Sequence, residues 1–401
     1  MARIFYGWVI VGGAFIVLFI AYGTQYAFGV FFPALLEEFG WSRASLSGAF
    51  SLYAFLYCVY GLPAGRLTDR WGPRTVIAVG GLLLGLALAG MSRIGELWQP
   101  YMLYGVVAAL GMSTAYVPCN STLVKWFVAR RGLAVGLASS GGGLGIFLLP
   151  PLAHLLVDAV GWRWAYVVFG TAVLVILNLV AIVMRRDPET MGLAPDGAPK
   201  TPAMVHPPGD EAWPLGRAVR AGAFWLLSGV FTCTWIPVFI PFVHGVAFAR
   251  DLGVAPLLAS TVISAIGIAA VFGRLVMGGV SDRIGRKAAL TIALLLQGLS
   301  FAGFTAVSGL YSLYLAAVGF GFSYGAISAL FPAIVGDFFG REEAGSLVGF
   351  LFALSGSMAA LGPLGAGAIY DATGHYTWAF LSSAGLNGVA LILLALFRPP
   401  R

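Results

Sequence analysis

Charged side chains are scarce in this sequence. Asp, Glu, Lys and Arg together make up 10% of its 401 residues, whereas 59% are hydrophobic. A soluble globular protein has about a quarter of its residues charged. The composition therefore excludes an ordinary soluble protein and indicates a polytopic membrane protein. The net charge of +7 does not point to nucleic acid, because the basic residues lie in short loops between apolar segments.

Reactive and metal-binding groups are also few. The three cysteines, Cys58, Cys119 and Cys233, lie within apolar segments, which predicts small packing residues and no disulfide framework. Neither a catalytic dyad nor a cluster of metal ligands is visible, so we expect no enzymatic activity, no cofactor and no metal site. The first apolar segment is too long for a cleaved signal peptide and predicts a membrane helix.

Long apolar segments, by contrast, are abundant. They predict an all-α membrane protein with twelve transmembrane helices. The predicted spans are 6–35, 44–64, 75–92, 99–128, 133–157, 163–184, 220–248, 255–279, 288–307, 311–338, 344–370 and 376–397. A proline-rich segment separates the sixth span from the seventh and predicts a solvated linker. The predicted domains are therefore residues 1–184, a linker at 185–219, and residues 220–401.

The sequence also repeats itself. The loop Gly65–Arg74 matches Gly278–Lys287, and the same offset in numbering carries Val135–Gly136 to Val348–Gly349 and Asp158 to Asp371. Separate regions that share one offset without a gap predict two pseudo-symmetric six-helix halves of parallel topology. Such a duplication is typical of transporters whose site lies between the halves.

The distribution of basic residues predicts the orientation. With both termini on one side, most Lys and Arg residues of the loops fall on that side, and only Arg43, Arg93, Arg163 and Arg250 fall on the other. The positive-inside rule then places both termini and the linker in the cytoplasm. We expect a multi-pass protein of the plasma (inner) membrane.

Arg274 is the one charge in the span 255–279. A guanidinium cannot lose its proton to escape the hydrocarbon, so it must face protein or water. Small residues surround it at helical spacing, which leaves room for an anion such as a carboxylate. The alternative is that the long side chain reaches the membrane interface and binds nothing.

Other polar residues within spans are candidates for the same site. His244 follows Pro237 and Pro241, which predict a bend beside a cavity, and it either serves the site or is a neutral ring bonded to a carbonyl. Tyr116 and Asn120 share a helix face, and either line the site or join helices. Tyr324 lies in the matching helix of the second half. The glycine-rich run 139–145 predicts close helix packing and no phosphate loop.

Two sets of motifs resemble known families. The loops Gly65–Arg74 and Gly278–Lys287 resemble the loop signature of the major facilitator superfamily, which implies its twelve-helix fold. The segment Lys125–Ala138 and the triplet Tyr6-Gly7-Trp8 are similar to motifs of the monocarboxylate transporter family and its bacterial oxalate/formate antiporter relatives. The resemblance implies that Arg274 holds the substrate carboxylate and that a polar residue at the position of His244 lies near the substrate.

The sequence departs from those families at two places. Animal monocarboxylate transporters carry an Asp one turn before this arginine, where Ala270 stands here. Oxalate carriers have a lysine in the eleventh helix, whereas Gly349–Gly362 has no cation. Because alanine cannot carry a proton, the first departure argues against proton coupling through an Asp–Arg pair at this site. The second favours a monoanion over a dianion.

These observations predict a secondary active transporter of small monocarboxylates such as lactate or pyruvate, coupled to protons and working as a monomer in the lipid bilayer. The rivals are an exchanger of formate, oxalate or another organic anion, and a receptor that binds an anion without moving it. His244 is the candidate proton carrier. The predicted substrate-binding residues are Arg274, His244, Tyr116, Tyr324, Asn120, Phe28, Leu144 and Phe331. The predicted gating residues are Asp69, Arg70, Arg74, Asp282 and Arg283.

Overall fold

The computed structural model of the protein describes residues 5–127, 131–197, 215–339 and 344–398. Helices account for nearly all of them. Those of the first part are α1 (Gly7–Phe39), α2 (Arg43–Met91), α3 (Trp98–Pro100), α4 (Ala109–Trp126) and α5 (Arg131–Val183). Those of the second part are α6 (Leu215–Ala218), α7 (Gly222–Trp235), α8 (Ile240–Asp251), α9 (Pro256–Ile284), α10 (Arg286–Thr305), α11 (Leu310–Phe339), α12 (Ala344–Leu351), α13 (Leu361–Thr373) and α14 (Thr377–Leu396).

Within the described residues, eleven helical segments are long and apolar enough to cross a membrane. One of them, Ala134–Val183, has 50 residues. At 1.5 Å per residue it contains about 75 Å of helix in total, enough for two passes through a hydrocarbon layer of about 30 Å. The predicted all-α membrane fold is therefore confirmed, and each predicted span has a counterpart.

Two of the predicted connections between spans are tight turns. Spans 44–64 and 75–92 are joined within α2, and spans 133–157 and 163–184 within α5, and each pair is separated by a kink. In each case the chain turns at a single glycine, Gly72 (φ 80°, ψ 160°) or Gly161 (φ 78°, ψ 157°). Residues with a side chain rarely adopt this backbone conformation, so glycine allows the turn without a longer loop.

The backbone repeats at the same offset as the sequence. Each of three glycines with positive φ in the first half has a counterpart at that offset, and the pairs are Gly40 and Gly253, Gly72 and Gly285, and Gly161 and Gly374. A shared offset at three separate turns means that the chain reverses at equivalent positions in the two halves, although Gly161 (ψ 157°) and Gly374 (ψ 0°) differ in the second dihedral angle. The geometry confirms two pseudo-symmetric halves of parallel topology.

The seventh span is interrupted where its prolines predicted a bend. Helix α7 ends at Trp235 and α8 begins at Ile240. Pro241 occupies the first turn of α8, where a missing backbone N–H costs no helical hydrogen bond. His244 lies in α8, on the far side of this interruption from α7.

The chain packs as two compact units. The first comprises residues 1–31 and 56–206, and the second comprises residues 32–55 and 207–401. The end of α1 and the beginning of α2 thus belong to the second unit, although by sequence they are part of the first half. The predicted division at 184 and 220 follows the sequence repeat and stays a prediction.

Glycines allow close helix contacts within the first unit. A Cβ atom on Gly141 or Gly145 would overlap the carbonyl oxygens of Phe15 and Phe19, so the backbones of α5 and α1 touch. The prediction that the run 139–145 serves helix packing is confirmed. The second unit uses the same device between α9 and α11, where it positions the candidate site.

Candidate functional site

Close contact between α9 and α11 places Arg274 beside Tyr324. A Cβ atom on Gly273 would overlap the carbonyl of Phe322, and one on Gly325 would overlap the carbonyl of Ala270. Arg274 follows the first of these glycines and Tyr324 precedes the second. As a result, the guanidinium carbon of Arg274 lies 5.9 Å from the centroid of the Tyr324 ring, within the range of a cation–π contact.

The depth of this contact bears on whether Arg274 binds a ligand or reaches the interface. Tyr324 lies in the middle of the 30-residue helix α11, and a guanidinium beside its ring is far from either end of that helix. The next residue along α9, Leu275, is 70% exposed on the outer surface, whereas Arg274 is half-buried. The placement favours a guanidinium directed into the protein over one that extends to the interface.

Among the residues that the structure describes, Arg274 has no hydrogen bond and no acidic partner, and the Tyr324 ring is the one aromatic group it contacts. A charge within a membrane-length helix is costly unless it is paired. A guanidinium presents a planar fork of donors that matches a carboxylate. The arrangement is therefore suited to an anionic ligand.

Tyr324 also lines a small cavity of about 10 Å³, enough for a single water. The other lining residues come from α7, α10, α11 and the connection between α7 and α8: Thr234, Trp235, Val238, Gln297, Ile327 and Ser328. The wall is apolar at Val238 and Ile327 and polar at Gln297 and Ser328. The cavity as it stands is too small for a carboxylic acid, so its lining marks polar and apolar groups that a substrate would meet only if the helices around it moved apart.

Gln297 is the polar residue of this wall that the sequence analysis missed. Its side chain is fully buried, and neither its amide oxygen nor its amide nitrogen has a hydrogen-bond partner among the described residues. An unmatched buried polar group costs about 1–3 kcal/mol, so a ligand or water in the cavity would be stabilised there. The sequence signal that could have identified Gln297 is that it is the one amide side chain in the mainly apolar helix α10.

Arg274 and Gln297 lie at similar depth. Helices α9 and α10 turn back on each other at Gly285, and Arg274 precedes this glycine by nearly as many positions as Gln297 follows it. At 1.5 Å per residue, the two positions differ by only about 2 Å along the helices. A ligand held by Arg274 would therefore be level with the amide of Gln297.

His244 is fully buried elsewhere in the second unit, and both of its ring nitrogens are occupied. Nε2 lies 2.9 Å from the carbonyl oxygen of Pro363, and Nδ1 lies 3.0 Å from the hydroxyl of Tyr376. A carbonyl only accepts, so Nε2 carries the hydrogen and Nδ1 of the neutral ring accepts from Tyr376. Among the described residues, no hydrogen bond or ion pair joins His244 to Arg274.

Tyr376 connects His244 to a charged cluster that the sequence analysis did not find. Both terminal nitrogens of Arg43 donate to the carboxylate of Asp251 at 2.8 Å, and one of them also donates to the Tyr376 hydroxyl at 2.7 Å. The carboxylate of Asp371 accepts the backbone N–H groups of Arg43 and Ala44 at 3.0 and 2.8 Å. Burial raises the pKa of the Tyr376 phenol above its ordinary value, although the Arg43 charge opposes this, so the hydroxyl keeps its hydrogen.

Two polar candidates of the first unit lie together on α4. Tyr116 is 39% exposed and meets the ring of Tyr22 edge-on, with 6.5 Å between centroids. The amide nitrogen of Asn120 donates to the carbonyl of Tyr116 at 2.9 Å, a bond within its own helix. Among the described residues, Asn120 therefore forms no hydrogen bond that joins α4 to another helix.

The apolar candidates differ in placement. Leu144 is 38% exposed, whereas Phe28 and Phe331 are 1% and 5% exposed. The ring of Phe28 packs against Tyr104 with 4.6 Å between centroids, and that of Phe331 packs against Phe231 at 4.4 Å. As placed, these two phenylalanines are core residues of their units, and only Leu144 presents a free apolar surface.

The candidate gating residues lie at two turns. The side chains of Asp69 and Asp282 are outside the described part of the structure, and Arg70, Arg74 and Arg283 are exposed. The turns themselves are made by Gly72 and Gly285, as the loop motif requires. The role of these residues in gating stays a prediction.

Comparison with known proteins places these features in a family context. Residues 14–246 and 236–401 both match the family profile described as Major Facilitator Superfamily. The chain is 28% identical to monocarboxylate transporter 4 of Mus musculus over 97% of this chain and 83% of that protein. It is 30% identical to monocarboxylate transporter 11 of Homo sapiens over 95% of this chain and 80% of that protein.

The fold also matches a solved structure. An inward-facing, unoccupied structure of a bacterial homologue of the human lysosomal transporter Spinster superposes with a TM-score of 0.74. The match covers 99% of this chain and 96% of the other at 14% sequence identity, so it concerns the fold alone.

Proposed function

Because the chain belongs to the major facilitator superfamily and is related to the monocarboxylate transporters, we propose that it carries small monocarboxylates such as lactate or pyruvate across the plasma (inner) membrane. One observation carries the proposal. Arg274 is an intramembrane guanidinium that has no acidic partner among the described residues and lies beside Tyr324 and a cavity. A carboxylate is the anion that fits its two-pronged donor geometry.

The side chains around the small cavity are the ones that a monocarboxylate with a polar substituent would need once the cavity widens. With the carboxylate at Arg274, a 2-hydroxy or 2-oxo group would find a donor and an acceptor in the amide of Gln297. Val238 and Ile327 would cover the apolar end. Arg274 is the one cation that this region supplies, and a second carboxylate of oxalate would have to enter without a matching charge.

Transport in this proposal is alternating access between the two pseudo-symmetric halves, with both termini cytoplasmic and a monomer as the working unit. Coupling to protons needs a group that takes up a proton, or a substrate that carries one. Ala270 occupies the position of the coupling Asp of animal relatives. His244 remains the candidate within the chain, and the acid proton of the substrate is the alternative.

Uptake into proteoliposomes tests the proposal. Labelled lactate, pyruvate, formate and oxalate would be offered with and without an inward proton gradient. We expect accumulation of lactate or pyruvate that depends on the gradient. Uptake of oxalate that lactate does not compete would instead establish the exchanger, and saturable binding without uptake of any of the four would establish a receptor.

A further inference from the structure

The end of α1 and the beginning of α2 are held by a set of polar contacts within the second unit. Arg43 forms its paired hydrogen bonds with Asp251 at the end of α8, and Asp371 of α13 accepts the first N–H groups of α2. Arg250 and Glu37 add an ion pair of 2.7 Å. The guanidinium of Arg43 also stacks on the Tyr370 ring, 3.7 Å from its centroid. We call Arg43, Asp251, Asp371 and Tyr376 the Arg43 latch.

The contact surface under the latch is tightly packed. A Cβ atom on Gly367 of α13 would lie 2.7 Å from the Oγ of Ser47, which is fully buried. The Oγ of Ser51 accepts the N–H of Leu364 at 3.2 Å. The first turns of α2 therefore lie directly on α13, and the polar contacts of the latch close the open end of this surface.

A directed series of hydrogen bonds connects the latch to His244. Arg43 donates to the Tyr376 oxygen, Tyr376 donates to Nδ1 of His244, and Nε2–H donates to the Pro363 carbonyl. Each hydrogen in this series has an acceptor. The series is complete only when the His244 ring is neutral, because Nδ1 must be free to accept.

A proton on Nδ1 would disturb this arrangement. The Tyr376 oxygen would then receive hydrogens from both Arg43 and His244, and its own hydrogen would need another acceptor. Two positive charges would also stand on either side of one phenol oxygen in a buried place. The carboxylates of Asp251 and Asp371 are occupied by the Arg43 guanidinium and by the start of α2, and neither hydrogen bonds to the ring.

The surroundings of His244 contain few other groups that could compensate. Helix α2 contributes Arg43, α13 contributes Asp371 and Tyr370, the segment before α14 contributes Tyr376, and α8 itself contributes Arg250 and Asp251. From α1 the ring of Phe32 meets the imidazole edge-on at 5.2 Å. Helix α9, which also packs against α8, has no charged residue before Arg274. The Tyr376 hydroxyl is thus the hydrogen-bonded link between the ring and these charges, in addition to the direct effect of the Arg43 and Asp371 charges.

We propose that the Arg43 latch fastens residues 32–55 to α8 and α13, and that Tyr376 makes the latch depend on His244, so that the latch closes on a neutral ring and opens when the ring gains a proton. Arg43 and Tyr376 are positioning residues in this scheme, since they act through His244 and α2. Only the role of the latch rests on the proposed transport function: in a transporter, opening of the latch would expose the substrate path when His244 gains a proton. Its mechanism concerns contacts that exist without substrate.

Thiol labelling tests the latch without substrate. Cys58, Cys119 and Cys233 would be replaced by alanine and Ser47 by cysteine, and the rate of labelling with a polar maleimide would be measured on protein in nanodiscs. We expect Arg43→Gln and Asp251→Asn each to raise the rate by roughly ten- to a hundredfold, as for the loss of a hydrogen bond between charged groups. Ser51→Cys is the second reporter if cysteine does not fit beside Gly367.

Two matched controls accompany these variants. Asp158→Asn changes the residue that corresponds to Asp371 in the repeat but has no hydrogen bond to the described residues. Arg163→Gln removes an exposed arginine that stacks on Trp162 and lies outside the latch. Both should leave the rate unchanged. Rates in Arg43→Gln and Asp251→Asn that equal those of the controls would overturn the latch.

The pH dependence of the same rate tests the link to His244. Each rate is divided by the rate of the same thiol in denatured protein at the same pH, between about pH 5 and pH 8, where histidine titrates. We expect the ratio to rise as the pH falls, and to become independent of pH in Tyr376→Phe and in His244→Gln. A rate ratio that does not change with pH in the cysteine reporter protein without further substitutions would overturn the link. A rate ratio that still changes with pH in either variant would also overturn it. Lactate uptake is not used, so failure of the proposed substrate would leave this result unaffected.

Discussion

The guanidinium carbon of Arg274 lies 5.9 Å from the ring centroid of Tyr324, at the middle of helix α11. Neither residue would be notable alone, since a tyrosine in a membrane helix is common and an arginine can extend to the interface. Together they define a positive charge that is held at depth, against an aromatic face, beside a cavity. This relationship gives the proposed site its most direct test.

Arg274→Lys should severely reduce substrate binding while the protein still folds and inserts. Lysine keeps the charge but loses the planar fork, and a hydrogen bond to a charged partner contributes about 1.5–3 kcal/mol. We expect the dissociation constant for lactate, measured by calorimetry on purified protein, to rise by roughly ten- to a hundredfold. Arg283→Lys, at an exposed turn of the same helix, is the matched control. Unchanged affinity in Arg274→Lys would mean that the side chain serves the interface.

Gln297→Met tests the second polar group of the cavity. Methionine has a similar length and removes both unmatched amide atoms, so the free energy of unfolding should stay the same or increase. If Gln297 recognises a 2-hydroxy or 2-oxo group, the variant should lose affinity for lactate and pyruvate but keep its affinity for propionate, which lacks that group. Equal losses for all three acids would assign Gln297 a general packing role.

The loop residue Asp69 should influence turnover and not binding. It follows directly on the membrane-length segment Arg43–Thr68 and lies beside the turn at Gly72, at the end of the helix and not within it. We expect Asp69→Asn to slow uptake several-fold while the equilibrium affinity for substrate is nearly unchanged. Filter binding and initial-rate uptake on the same preparation separate the two quantities. A large loss of binding would show that this division is incorrect.

His244→Gln should separate accumulation from exchange. Glutamine can replace both hydrogen bonds of the ring but does not titrate, so a pH gradient could no longer drive uptake through this residue. Exchange of labelled for unlabelled lactate needs no net proton movement and should persist. If the variant still accumulates lactate against its gradient when the outside is acidified, the proton travels with the substrate or by another group.

Much of the fold could be predicted because its signals are local or periodic. The length of the apolar segments located the spans. The constant offset between the repeated motifs identified the two halves, and the turns at Gly72 and Gly285 occur at the same offset. Charges and turn residues located the turns within α2 and α5 but not their length, since one glycine with positive φ reverses the chain where a longer loop could also do so. Sequence composition does not distinguish the two.

The site was predicted less completely, since its remaining parts depend on contacts between distant residues. Arg43 and Asp251 are 208 residues apart, and Arg43 and Tyr376 are 333 apart. No spacing rule relates them, and Arg43 was assigned only as a loop residue of one membrane side. Gln297 became a candidate only when its burial and its unmatched amide atoms were known.

The paired turn glycines have a consequence for how the chain can be assembled. Each half has its own three turn glycines with positive φ, Gly40, Gly72 and Gly161 in one and Gly253, Gly285 and Gly374 in the other. Neither half borrows a turn from the other to bring its helices together. Two separate polypeptides, cut within the linker and produced in the same cell, should therefore each thread their helices into the bilayer and reassemble into a working protein.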